Sequence, residues 1–468
     1  RSSAASDVYK RQVNYLKAKI EELNRKYKDM PFFALTRSRT YSSTQGNYIG
    51  WERKRGAITE FARYLRGEKK HSFFYRFGNT EDILSSKYIV TLDSDTQPSI
   101  GSVKELIGAM IHPLNRAEID REKHRVTKGY GIIQPKVNIS LSSAYQSEFS
   151  KIFAGVGGFD PYVNANSDVY QDNFAEGIFT GKGILDVDVF VDLVDDVIPD
   201  NRVLSHDLLE GSIARTALAG DIEFVDGFPA KVSSYFARYH RWVRGDWQLL
   251  YFLKSRLTLR SKEKVKNPLS LLSRWKMIDN LRRSLVTPFV FIMLLCAAFL
   301  PFAWSIVLVI LSLLTLGLSL CTAVCDNVLY RDFKFFYEKS YTRAIYGLKS
   351  VFLQFLCLLS FLPYHAYISI DAAIRTVFRL LFTGKHMLEW TTAEEAERNM
   401  KDDQFSYMKR MWFSIASGLF FILYHTNFPL FLIGVSFFLS PGIAYLISRP
   451  CKEKKEKLDT ADNVFLRR

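Results

Sequence analysis

Tyr88-Ile89-Val90-Thr91-Leu92-Asp93-Ser94-Asp95-Thr96 is a short apolar run that ends in two carboxylates one residue apart. Such a run suits a buried strand with a turn at its carboxyl end. Outward from it, Val103, Leu106, Ile107 and Met110 recur at helical spacing, and Tyr130-Gly131-Ile132-Ile133-Gln134 reads as the next strand. Upstream, Val13, Leu16, Ile20 and Leu23 mark a helix and Pro31-Phe32-Phe33-Ala34-Leu35 a strand. Ile58, Phe61 and Leu65 mark a second helix, stopped by Gly67. Strands alternating with helices predict an α/β domain with a mostly parallel, doubly wound sheet, whose ligands bind beyond the carboxyl ends of its strands.

The second half of the chain has another character. Leu285 to Cys325 is 41 residues without a charged side chain, and Trp412 to Ser448 is 37. A membrane span takes roughly 20 apolar residues, so each run predicts a helix pair. The turns fall near Leu300-Pro301-Phe302 and at His425-Thr426-Asn427-Phe428-Pro429. Lys254 to Arg283 carries ten basic and two acidic residues, and basic clusters flank each pair on both sides, so all four flanks are expected on the cytosolic face. The apolar segment 344–370 then has both ends on one side and is read as interfacial or re-entrant. The organisation expected is an α/β domain over 13–253, a basic interfacial segment over 254–284, spans over 285–325 and 412–448, interfacial or re-entrant helices over 326–411, and a basic tail over 449–468. Residues 1–12 fit no pattern and read as a cloning scar. The net charge of +15 is directed at the bilayer surface and at phosphate groups, not at nucleic acid. The five cysteines read as packing residues; Cys321 and Cys325 share a helical face inside an apolar run.

Five motifs carry chemistry. Asp93 and Asp95 could share a hard divalent cation that neutralises a diphosphate leaving group. They would equally serve as a strand-end turn, or, with Asp93 as nucleophile and Asp195-Asp196 as a metal pair, as an aspartyl phosphotransferase. Asp207, in Ser205-His206-Asp207-Leu208-Leu209-Glu210-Gly211, is a helix cap or a general base for a hydroxyl. Arg238, Arg241, Trp242, Arg244 and Trp247 lie within eleven residues; arginine forks suit diphosphate and indole faces suit sugar rings, although an amphipathic helix at a membrane has similar composition. Gly50-Trp51-Glu52-Arg53-Lys54-Arg55-Gly56 offers Lys54 and Arg55 to phosphate. Phe179-Thr180-Gly181-Lys182-Gly183 allows close approach at Lys182, or simply makes a turn.

In this order, a basic Lys-x-Gly loop, Asp-x-Asp, a lone Asp before a helix and Arg-x-x-Arg-Trp beside membrane spans resemble processive β-glycosyltransferases of the GT-A fold, such as cellulose synthase. Closer still, Gly-Trp-Glu-Arg-Lys-Arg-Gly, Thr-Leu-Asp-Ser-Asp-Thr, Phe-Thr-Gly-Lys-Gly, Leu-Ser-His-Asp-Leu-Leu-Glu-Gly and His-Arg-Trp-Val-Arg-Gly-Asp-Trp-Gln resemble the synthase region of cyclic β-1,2-glucan synthases, from about residue 13 to the end. The resemblance implies UDP-glucose as donor, a glucan acceptor, Mg2+ or Mn2+ at Asp93 and Asp95, and inverting transfer with Asp207 as base. It implies diphosphate contacts from Lys54, Arg55, Arg238, Arg241, Trp242 and Arg244, and acceptor contacts from Lys182, Glu210, Trp242 and Trp247. Leu388-Glu389-Trp390-Thr391-Thr392 is similar to a gating loop, through Trp390, Thr391 and Thr392. Arg238 stands where the wider family has Gln. The location implied is the bacterial cytoplasmic membrane, multi-pass, with the catalytic domain cytosolic. The family's first strand would precede residue 13 and its glucan-trimming region would follow residue 468, so the chain reads as a fragment that works with those parts of a parent protein. The alternatives are another processive β-glycan synthase, a membrane-anchored phosphohydrolase using Asp93, and a non-catalytic sugar- or nucleotide-binding membrane protein.

Overall fold

The computed structural model describes residues 2–29, 31–69, 71–81, 83–154, 168–204, 206–329, 348–389 and 403–451. Its centre is a five-stranded sheet in the order Tyr88–Thr91, Gly183–Asp186, Ile132–Ile139, Thr216–Asp226, Gln97–Pro98. Ile132, Ile184 and Phe224 are fully buried in it, and Leu106 and Met110 of the Ser102–Ile111 helix close one face. Leu185, Phe190, Leu209 and Ile213 lie in the larger cluster that also buries Ala62 and Leu65 of the Arg53–Leu65 helix.

The sheet is mixed, which corrects the expectation of a mostly parallel one. Gly183–Asp186 runs antiparallel to both Tyr88–Thr91 and Ile132–Ile139, and Gln97–Pro98 antiparallel to Thr216–Asp226; only the Thr216–Asp226 and Ile132–Ile139 pair is parallel. The reason is connectivity. A parallel pairing needs a crossover back to the starting edge. Instead the chain re-enters at Gly183 opposite Thr91 and runs back along both neighbours. An apolar run read in sequence carries no direction, so the reversal was not visible. Three strands still point one way, and Leu92-Asp93, Asp226 and the Gly181-Lys182 turn meet at their shared end.

A second, two-stranded sheet pairs Ala34–Arg37 with Phe73–Phe77. The latter strand alternates half-buried and exposed positions, a period the sequence reading passed over. At the N-terminus one helix runs Ser2–Lys26, continuing through the stretch set aside as a scar.

The apolar half is helical. Leu271–Phe299 and Phe428–Ile447 are long and apolar enough to cross a membrane. The break at Leu300-Pro301 is followed by Phe302–Leu316, and Trp412–Leu423 precedes the turn capped by Asn427. The first long helix begins at Leu271, so Arg274, Lys276, Arg282 and Arg283, within the segment read as basic and interfacial, stand on its leading turns. No breaker lies between Leu271 and Leu285, and Ser270 caps the helix by accepting from the Ser273 N–H. Lys349–Ser360 and Leu362–Thr383 are joined at a 64° bend within the segment read as interfacial or re-entrant. The last two helices meet at small residues: a Cβ on Gly418 would stand 2.5 Å from the Phe438 nitrogen.

Candidate functional site

At the shared strand end, Asp93 accepts from Lys54 Nζ at 2.5 Å on one oxygen and faces Lys182 Nζ at 3.3 Å on the other. Lys182 is nearly buried and also donates to Asp226 at 2.6 Å, while Thr96 donates to the other oxygen of Asp226 at 2.8 Å. Burial alone would push the Asp93 carboxyl up, but Lys54 and Lys182 together hold it below the usual carboxylate range. Burial pulls Lys182 the other way, and Asp226 and Asp93 more than restore it, leaving its ammonium raised. Asp95 is exposed on the outer side of the turn, against Gly227, where an added Cβ would lie 3.3 Å from Asp95 Oδ2.

Asp207 opens the Asp207–Ala214 helix. Its carboxylate lies against Gly181, whose φ of +87° and lack of a side chain make the approach possible: a Cβ there would be 2.9 Å from Asp207 Oδ1. Lys54 donates to the Gly181 carbonyl at 3.0 Å, so one lysine touches both the Asp93 turn and the turn that faces Asp207. The Asp207 side chain is 30% exposed, recessed but open to solvent. Its carboxyl is raised above the ordinary range, chiefly by burial, with Glu210 and Asp93 adding to the rise and His206 and Lys54 opposing it. Beneath it His206 Nδ1 lies 2.8 Å from Glu210, which is fully buried. Burial alone would lower the imidazole, but Glu210 and Asp207 raise it above its ordinary value.

The Val232–Gln248 helix passes the same recess. Arg238, Arg241 and Arg244 are three apart and share a face. The Arg238 guanidinium stacks 4.7 Å from the Trp242 ring. Arg241 is pushed down to about 10, first by burial and then by Arg238 and Arg244, with Asp93 and Asp207 close enough to oppose this. Arg241 therefore lies within electrostatic reach of both carboxylates.

Several other expectations are corrected by where the residues sit. Arg55 is 1% exposed and pairs with Glu52 at 2.7 Å, so it offers nothing to a diphosphate. Glu210 is sealed under His206 and is out of reach of an acceptor. Lys182 is held between Asp93 and Asp226 instead of facing an acceptor. Trp247 donates from Nε1 to Ser284 Oγ at 3.1 Å, tying the helix to the long apolar helix. Arg244 binds the Glu389 carbonyl and side chain, and Arg379 shares that carboxylate at 2.9 Å. Trp390, Thr391 and Thr392 lie outside the described residues. Asp195 is locked by Arg63 and by Arg260 at 2.9 Å, and Asp196 accepts from Ser261, so neither is drawn toward Asp93. Sequence reasoning missed Asp226, although an acid ending an apolar strand is the signal that singled out Asp93. It also missed Glu52, His206 and Glu389 as partners, because their roles depend on residues distant in sequence.

The molecule is thus a membrane protein in which a mixed α/β sheet brings two carboxylate-bearing turns, a shared lysine and an arginine-lined helix to one recess. No family model matches the chain. It is 34% identical over 465 residues, 95% of its length, to the cyclic beta-(1,2)-glucan synthase NdvB of Rhizobium meliloti. The chain belongs to the cyclic β-1,2-glucan synthase family, as a segment that spans 16% of the length of that relative.

Proposed function

We propose that this chain is a glucan-synthesising segment that transfers glucose from UDP-glucose to a growing β-1,2-glucan with inversion, in a domain of the GT-A type. One observation carries the reading: Asp207, a carboxyl raised by burial, faces across Gly181 the same recess as Lys54, Asp93 and Arg241. Asp207 takes the proton of an acceptor hydroxyl as that oxygen bonds to the anomeric carbon. The bond from that carbon to the diphosphate oxygen breaks, and UDP leaves with the electron pair. A raised pKa suits a base that must hold a proton in the transition state. Arg241 and Lys54 face the leaving diphosphate with positive charge. Trp242, backed by Arg238, presents an indole face to a sugar ring.

Asp95, exposed beside Gly227, offers hard oxygens to Mg2+ or Mn2+, and Asp93 would join it by exchanging one of the two lysines that hold its oxygens. When bound there, the ion supplies charge neutralisation to the diphosphate. His206, Asp207 and Glu210 also bring ligand atoms within 4.8 Å of one another. Their buried floor leaves less room for a diphosphate than the open turn does. In this reading the chain is a multi-pass protein of the bacterial cytoplasmic membrane, with the recess on the cytosolic side. The support is the basic leading turns of the Leu271–Phe299 helix and the direct tie of Trp247 to it.

The test is incorporation of labelled glucose by membranes carrying the protein, with UDP-glucose set against other nucleotide sugars and the product analysed by methylation. Metal-dependent 1,2-linked polymer from UDP-glucose is expected. Polymer of 1,4 linkage would point to a cellulose-like synthase, and no transfer from any nucleotide sugar would overturn the reading.

A further inference from the structure

The chain enters the Arg53–Leu65 helix through two consecutive left-handed residues, Glu52 at φ 49° and Arg53 at φ 51°. Neither is glycine, and such conformations persist only where surrounding contacts hold them. Those contacts are specific. Arg37 donates to the Trp51 carbonyl at 3.0 Å and to the Arg53 carbonyl at 2.7 Å. The Glu52 carboxylate, buried at 4% exposure for the residue, accepts the Asn201 N–H at 2.5 Å and pairs with Arg55 at 2.7 Å. Arg55 reaches the Ile198 carbonyl at 3.4 Å and stands 3.9 Å from Asp200. Asn201 is itself left-handed at φ 61°, and its side chain accepts from Thr44 at 3.0 Å.

Two loops are joined at this point. The residue after the strained pair is Lys54, which reaches Asp93 and the Gly181 carbonyl. The loop through Ile198, Asp200 and Asn201 leads within six residues to Asp207. One buried carboxylate therefore fixes the departure of the lysine and the approach of the acid.

We propose that Glu52 is a positioning residue, whose buried carboxylate clamps the Asn201 loop to the Arg55 elbow and so sets Lys54 and Asp207 in register across Gly181. The proposal rests on the reading of Lys54 and Asp207 as parts of the reacting site. Glu52 touches no substrate in this account; it acts through Lys54 and the Asp207 loop. A buried ion pair elsewhere in the chain would contribute only to stability, and the two roles predict different results.

The full chain in membranes is subjected to trace acetylation, and Lys54 is compared by mass spectrometry with Lys123, an exposed lysine 61% accessible on another turn. Three forms are used: wild type, Glu52→Leu, and Glu52→Leu with Arg55→Met. The double variant replaces the pair by apolar groups and leaves no unpaired buried charge, which keeps a folded variant in hand. In both variants Lys54 is expected to react at least about fivefold faster relative to Lys123, a shift of roughly 1 kcal/mol in its protection. In parallel, turnover of UDP-glucose is expected to fall about tenfold or more in kcat, and that loss is expected to shrink when Lys54 is already alanine, because one of the two groups that Glu52 positions is then gone. Unchanged Lys54 labelling in the folded double variant, or a Glu52→Leu loss that adds in full to that of Lys54→Ala, would overturn the proposal. If the wild type turns over no UDP-glucose, the functional reading fails, while the labelling arm still decides whether Glu52 positions Lys54.

Discussion

At the recess, contacts join residues far apart in sequence: the opposite charges of Lys54 and Asp93 across 39 positions and of Lys182 and Asp226 across 44, and the Glu52 carboxylate with the Asn201 N–H across 149. In the apolar helices, the last hairpin closes on Gly418 and Gly434, and hydroxyls pair across helices, as Ser360 does with Ser436 at 2.7 Å. The recess keeps carboxylates and ammonium groups part-buried and strains its backbone at Glu52, Arg53 and Asn201. The bundle buries apolar and small side chains in helices, the two long ones each with an internal proline, Pro288 and Pro441. The proposed site thus lies where side-chain contacts override backbone preference, and the bundle where apolar patterning sets the helices.

Four changes sharpen or break that contrast. The largest effect is expected from Asp207→Asn, which should lower the rate of glucose transfer by about 10²–10⁴-fold, the usual range for removing a general base, with UDP affinity little changed. Steady-state assays with labelled donor check it.

Lys182→Met comes next. It leaves Asp93 and Asp226 facing each other beside an apolar side chain, a broken buried pair that typically costs about 3–5 kcal/mol. Thermal or denaturant melts should show the loss. The same variant should lose part of the depression of the Asp93 carboxyl, the part that Lys182 contributes beside Lys54. The sign follows from linkage. A carboxyl lowered in the folded state contributes stability that is complete above its ordinary value of 3.8 and disappears as pH falls through the lower folded value. The wild type should therefore keep the Asp93 contribution to about pH 4, whereas the variant should show less acid-dependent loss from this group.

Within the bundle, Gly418→Val should force the last two helices apart, at roughly 1–3 kcal/mol for overpacking. The expected readout is increased protease access near the His425 turn, with less effect on the chemistry per folded molecule. The smallest effect is expected from Trp247→Phe, which removes the bond to Ser284 Oγ and should cost about 1 kcal/mol in stability. A larger loss of transfer than of stability in this variant would mean that Trp247 meets the acceptor after all. A fifth expectation concerns pH. Because burial raises Asp207, the acidic limb of the rate profile should fall above the free carboxyl value of 3.8, with activity lost as pH drops through the raised value and the base takes up a proton.

The same contrast decides what could be read in the sequence. Uncharged runs locate the apolar helices and both of their turns, because helix length and apolarity are local properties. The Tyr88–Thr91 and Ile132–Ile139 strands are visible for the same reason, and so is the carboxylate pair at the end of the first. Strand direction is not local, so the reversal of the Gly183–Asp186 strand escaped. Nor could the side chains of the Arg238 helix be divided by composition between recess and scaffold. Three arginines look alike in sequence; in the fold Arg241 is buried within electrostatic reach of Asp93 and Asp207, Arg238 lies on Trp242, and Arg244 is taken by Glu389. Arg55 and Lys54 are neighbours with opposite fates, one buried against Glu52 and one at the recess, because the strained elbow between them and Trp51 turns one inward.

The most direct test of the central claim pairs binding with turnover for Asp207→Asn. Membranes carrying the wild type and the variant would be given UDP and labelled UDP-glucose with Mg2+ or Mn2+. The account predicts that both bind UDP alike while only the wild type releases it from UDP-glucose and extends a glucan. Transfer at an unchanged rate by Asp207→Asn would contradict it, and would move the search for the base to another group in the recess.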